Sequence, residues 1–180
     1  MALGEPVMTA CDTDFSVRRL CADELEAYRS IRLEAVSSEP AAFASTLNDW
    51  IGASDEQWRS RLASAVFVAF DQVHQPVGMM ELSQRLPSKM RHRGLLAGVY
   101  VRKSLRGSGI ADKLLDAVSI HAQRLGILQL ELAVSAANRA AIRFYARHGF
   151  TVAGKISEGL RDGNRAIDEI IMTRRLPHRH

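Results

Sequence analysis

Val99-Tyr-Val-Arg-Lys-Ser-Leu-Arg106-Gly-Ser-Gly-Ile-Ala111-Asp-Lys-Leu-Leu115 is the stretch whose reading decides the fold. An apolar, β-branched run ends at Val101. A basic turn with two glycines follows, and an amphipathic helix begins. That layout aims backbone N–H groups and the positive end of a helix dipole at one point, where an anion binds. Gly107 and Gly109 let the main chain approach a ligand without a Cβ in the way. Arg106 adds a permanent charge with a fork of donors.

Two phosphate-binding readings fail on residue identity. A nucleotide P-loop needs Gly-x-x-x-x-Gly-Lys-Ser/Thr, which is absent from the chain. The dinucleotide fingerprint needs Gly or Ala at 112, where Asp112 stands; an acid there is expected to point toward the pyrophosphate. What remains is Arg106-x-x-Gly109-x-Ala111 after a Val-Tyr-Val strand. About thirty residues on, Asn138-Arg-Ala140-Ala-Ile142-Arg-Phe144-Tyr145-Ala-Arg-His-Gly149-Phe150 reads as a short helix. Asn138 is its N-cap and Gly149 its C-terminal glycine. Read as Asn-x-x-Ala-x-x-x-Tyr-x-x-x-Gly-Phe, this resembles the second signature of the GCN5-related N-acetyltransferase (GNAT) family, and the 106–111 loop resembles that family's acyl-CoA pyrophosphate loop. Arg29 to Phe43 resembles the family's first helix and following loop, and Gly159 to Met172 its last hairpin. The resemblance covers roughly residues 15–176.

The resemblance implies an α/β (α+β) fold: a mixed, mostly antiparallel sheet of about six to seven strands flanked by about four helices. It implies a splayed parallel strand pair that admits the cofactor's pantetheine on one side and an amine on the other. Acetyl-CoA would be the co-substrate. Arg106, Gly107, Ser108, Gly109, Ile110 and Ala111 would hold its pyrophosphate, with Arg102 or Lys103 near the outer phosphates. The strand Val99, Tyr100, Val101 would hydrogen-bond the pantetheine as an added strand does. A backbone N–H near Val101 would polarise the thioester carbonyl. Asn138 would bond pantetheine, cap its helix, or do both. Tyr145, protonated at neutral pH, would be the general acid toward the departing sulfur, against the plainer role of packing.

The general base is left open. Some family members carry a glutamate early in the strand before the glycine loop, but here that run is Leu95-Leu96-Ala97-Gly98. His92, Glu81, Asp168, Glu169 and a water chain are the candidates. The acceptor pocket is expected from residues 37–53, 83–94 and 157–165, with Phe43, Trp50 and Met80 as lining or as ordinary core. The resemblance implies acetyl transfer to a primary amine, and the lack of a cysteine near the two motifs favours direct attack in a ternary complex over an acyl-enzyme. The expected acceptor is a small amine, an amino acid, an aminoglycoside-like antibiotic or a protein N-terminus. A non-catalytic acyl-CoA sensor on the same fold is the alternative.

Composition bounds the rest. The 180 residues, 47% hydrophobic, suit one globular domain at 15–176 between a loose N-terminal tail (1–14) and a short C-terminal one (177–180). No apolar run approaches the roughly 20 residues that span a bilayer, and the first fourteen residues lack a signal peptide's basic start and apolar middle. Neither a membrane nor a nucleic-acid partner is expected: the net charge is only +4, aromatics are 6%, and an anionic cofactor explains the basic residues at 102–106. Cys11 and Cys21 fit reduced thiols in a cytoplasm, and no Cys/His spacing predicts a metal. Family members are often homodimers. The periodicity predicts the order strand, two helices, three strands, helix, strand, helix, two strands. The first helix is expected to start at an acidic signal in Asp23 to Glu26 and to run to about Val36.

Overall fold

Val66 to Phe70 is a continuous apolar run and Val77 to Leu82 is one broken only by Glu81, the signature of strands covered on both faces. A computed structural model, which describes residues 15–177, places them at the centre of a seven-stranded sheet. The strands are β1 (Ser16–Arg19), β2 (Ala65–Phe70), β3 (Pro76–Gln84), β4 (Arg93–Val101), β5 (Gln129–Ser135), β6 (Thr151–Asp162) and β7 (Arg165–Arg175). Their order is β1-β2-β3-β4-β5-β7-β6. Every neighbouring pair is antiparallel except β4 and β5.

Alternation along β2 builds two cores. Ala65, Phe67 and Ala69 face the helix α4 (Ile110–Arg124), while Val66, Val68 and Phe70 face α1 (Leu25–Ser38). The short α2 (Asn48–Ile51) and α3 (Asp55–Leu62) lie in the α1 layer, with Trp50 and Trp58 buried beside Tyr28. Tyr145 of α5 (Arg139–Arg147) joins the α4 core.

Sequence and structure differ at several points. The stretch 37–53 holds a one-turn 3-10 helix and α2, elements too short for a periodicity to show. The acidic signal at Asp23 to Glu26 does not cap α1. Glu24 is the N-cap residue without a side-chain cap, and its carboxylate instead accepts from Arg18 and from the Cys21 N–H. By contrast Ser54 and Gln57 close a full capping box on α3. The tail 1–14, Cys11, His178 and His180 lie outside the described residues.

One buried charge ties the sheet together. Glu131 on β5 is 4% exposed and accepts from Arg85 (2.6 Å) and from Arg93 on β4. Burial alone would raise its carboxyl; hydrogen bonds from Arg93 and Arg85 outweigh that and hold it below the usual range. Its stabilising effect is therefore present above the usual carboxylate range and fades as pH falls through the lowered value. Glu131→Ala leaves two half-buried guanidinium groups unpaired at about 2 kcal/mol, a fall of about 5 °C in Tm. Thermal denaturation at neutral pH checks this, and a shift below about 1 °C refutes it.

Candidate active site

The parallel pair β4/β5 is joined over only three residues, Arg93, Gly94 and Leu95 against Gln129, Leu130 and Glu131. Beyond them β4 runs on to Val101 and β5 to Ser135 with no pairing between them. The strands splay, and each presents an unpaired edge to the gap. Arg102 N–H bonds Val77 O, and Tyr100 stands opposite Met79, so these residues turn their backbone groups to β3. By alternation Val101 turns its own to the gap, and Val99 follows. Tyr100 sits between them with its side chain on the α1 face, donating from its hydroxyl to Glu34 (3.0 Å).

At the end of β4 the chain makes the expected turn. Gly107 and Gly109 both have φ of +86°, a conformation that favours glycine, and a Cβ on either would meet nothing within 4 Å. The first helical hydrogen bond of α4 runs from Lys113 N–H to Gly109 O. The N–H groups of Ile110, Ala111 and Asp112 therefore precede the ladder, on the open side of the loop. This cradle suits a pyrophosphate.

Arg106 is not aimed outward. It donates to Val101 O (3.2 Å) and to Glu39 (2.7 Å), which latches the loop to the end of α1. Arg102 is likewise held by both Glu34 oxygens, at 2.9 and 2.7 Å, which removes it as an outer-phosphate contact; Lys103 is exposed. Ser108 bonds back to Leu105 O. Asp112, the residue that argued against a dinucleotide site, pairs with His148 at the end of α5 (2.8 Å).

Asn138 caps α5, its side-chain oxygen accepting from Ala141 N–H at 3.1 Å, which leaves its amide NH2 for another partner. Tyr145 is 5% exposed and packs in one cluster with Val99, Val101 and Val134, which line the splayed strands. Burial pushes its phenol up, with no hydrogen bond or charge contributing.

The candidate bases separate in space. His92 is exposed at the closed end of the gap, where its carbonyl accepts from Leu128 and Gln129. The 83–94 connection lies with it, away from the splay, so it does not border the open site as expected. Asp168 is paired with Lys155 (2.6 Å) and accepts from Glu158 N–H (2.9 Å). Glu169, opposite Ser135 at the end of β5, fills the space a side chain at Gly159 would occupy. Glu81 lies against the unpaired part of β4. There Glu81 faces Ala97 and Met79 faces Tyr100, so two residue steps of β3 match three of β4, a bulge at Gly98 and Val99. Gly98 has φ +58°, and a Cβ there would come 2.6 Å from Glu81 Oε1. Tyr28 donates to the same oxygen (3.1 Å), and Arg32 approaches it at 3.8 Å. Burial pushes the Glu81 carboxyl above the usual range, against the opposing pull of Arg32 and Tyr28.

Tyr28, Arg32 and Gly98 were not singled out in the sequence. The signal was there for two of them. Positions 28 and 32 are one turn apart on the buried face of α1, where an arginine is unexpected. Met80 fails as pocket lining: alternation puts it in the α4 core, fully buried. Among the described residues no cluster of His, Cys, Asp and Glu is placed to hold a metal, and no helix is long and apolar enough to cross a membrane.

The sequence model of the Acetyltransferase (GNAT) family matches residues 25–150. The chain belongs to this family. Its overall fold recurs in solved structures. A GNAT acetyltransferase from Streptococcus pneumoniae superposes with TM-score 0.79 at 22% identity, covering 91% of this chain and 100% of that one. The Salmonella typhimurium protein yncA, solved with its cofactor acetyl-CoA, gives 0.74 at 19% identity over 93% and 97%. By sequence the GNAT chain is 26% identical over 146 residues to the L-methionine sulfoximine/L-methionine sulfone acetyltransferase of Pseudomonas aeruginosa, covering 79% of this chain and 84% of that protein. This GNAT protein is an acetyl-CoA-dependent N-acetyltransferase.

Proposed function

We propose that residues 15–176 form one acetyltransferase domain in which Glu81 takes the proton of a small primary amine and Tyr145 serves the departing sulfur. The observation that carries this is the place of Glu81 against the unpaired part of β4. Acetyl-CoA supplies the activated acetyl group. Ile110, Ala111 and Asp112 N–H groups with Gly107 and Gly109 hold its pyrophosphate; Val99 and Val101 take the pantetheine by main-chain hydrogen bonds, and Asn138 adds its free amide. The Val101 N–H polarises the carbonyl. The amine nitrogen attacks directly, the C–N bond forms as the C–S bond breaks, and the amine's proton passes to Glu81.

Burial that raises Tyr145 keeps its phenol protonated through the neutral range. It also makes complete transfer to a thiolate of ordinary pKa uphill, so the hydroxyl acts mainly by donating a hydrogen bond to the developing sulfur charge. Tyr145→Phe then lowers kcat by about tenfold and leaves acetyl-CoA binding within about threefold. An unchanged kcat across pH means that Tyr145 only packs.

The Pseudomonas relative, named for two small amino compounds, supports a small-molecule acceptor over a protein one. The same reading expects a cytoplasmic enzyme, where thiols such as Cys21 stay reduced, and a homodimer, as family members often form. Thiol release from acetyl-CoA over an amine panel, beside calorimetry with CoA, tests the whole. Cofactor binding without thiol release for any amine favours the sensor alternative.

A further inference from the structure

Arg32 is the least satisfied charged side chain in the α1 layer. Its side chain is only 9% exposed, yet of five N–H donors one finds a partner, Ser45 Oγ at 3.1 Å. Its Nε and NH1 are buried without an acceptor. Phe43 (4.9 Å) and Trp50 (4.4 Å) lie against the guanidinium and hold its plane. Leaving a buried cation this short of acceptors is costly, so an anionic partner is gained at little desolvation cost. The nearest carboxylate, Glu81, stays at 3.8 Å from NH1, beyond hydrogen-bond distance.

The two groups thus stand side by side with opposite charge and free bonding capacity. An α-amino acid carries the complementary pair, its nitrogen and carboxyl carbon about 2.5 Å apart by bond lengths and angle. On the reading that Glu81 receives the amine, we infer that the acceptor is an α-amino acid whose carboxylate is bound by Arg32. The carboxylate takes the free NH1 and Nε donors, and the ammonium pairs with Glu81 and gives it one proton; the second, released as the C–N bond forms, leaves with the departing sulfur, so that CoA departs as the thiol. Without the ammonium the bound carboxylate would face Glu81, so the site selects the zwitterion over a simple organic acid.

The test uses the full-length enzyme and sets of three acceptors with one side chain: L-methionine, L-methioninamide and 3-(methylthio)propylamine, and the phenylalanine equivalents. The wild type is expected to prefer the free acids by about 30-fold in kcat/KM, expressed in KM. Arg32→Gln should cost the acids about 30-fold more than it costs the amides and amines, whose smaller common loss reports the pull of Arg32 on Glu81. A wild-type preference below about threefold overturns the inference, and so does an equal loss for all three, which would make Arg32 only a counterion for Glu81. If Arg32→Gln does not fold, the wild-type ratio and Arg32→Lys decide: the lysine variant keeps the charge and loses the fork, so the acids alone should suffer. Turnover of amines without a carboxylate preference refutes this inference alone. No thiol release with any amine refutes it together with the catalytic reading.

Discussion

Glu81→Gln lowers kcat/KM for acetyl transfer by about a hundred- to a thousandfold, the usual weight of a positioned general base. Acetyl-CoA binding stays within about threefold, because Glu81 lies on the α1 face and the cofactor cradle is at the start of α4. The pH profile adds a second sign. Only the ionised carboxylate accepts a proton, and burial raises its pKa in the folded protein. Wild-type kcat/KM therefore climbs with pH through a limb above the ordinary carboxylate range, and the Gln variant loses that limb. Thiol-release kinetics from pH 5 to 9 measure both. A variant that keeps the limb assigns proton removal to Glu169 or to water. Gly98→Ala offers a second probe, since its Cβ would meet the carboxylate at 2.6 Å and displace it.

Gly109→Asp weakens acetyl-CoA binding by about a hundredfold. Aspartate tolerates a positive φ better than most residues, and there is open space around position 109. The added charge stands about 5 Å from the expected pyrophosphate; at an effective dielectric of about 20 the repulsion is about 3 kcal/mol. Gly109→Asn has the same shape without the charge, and its loss stays below about tenfold. Isothermal titration with acetyl-CoA separates the two variants. Equal, small losses for both would move the phosphates away from this helix terminus.

Much of the molecule was readable from local sequence. The turn at 106–109 and the capped helix after Asn138 are contiguous, and their roles follow from glycine freedom, capping and helical period acting over a few residues. Strand order in the central hairpin is also local, since β2 and β3 are joined by a short turn. Errors arose where distant partners intervene. Arg102 read as a phosphate ligand because Glu34, 68 residues earlier, is not visible beside it.

The sequence by itself determined the family, the two-glycine turn before α4 and the capped helix that carries Tyr145, because each is encoded in a short run whose physics needs no distant contact. The tertiary structure alone decided which acid stands against the unpaired part of β4. The β4 bulge brings Gly98 onto Glu81, and α1 brings Tyr28 and Arg32 to the same carboxylate from about fifty residues away. That meeting depends on sheet register and on how a helix packs across it, and neither is written in local residue order.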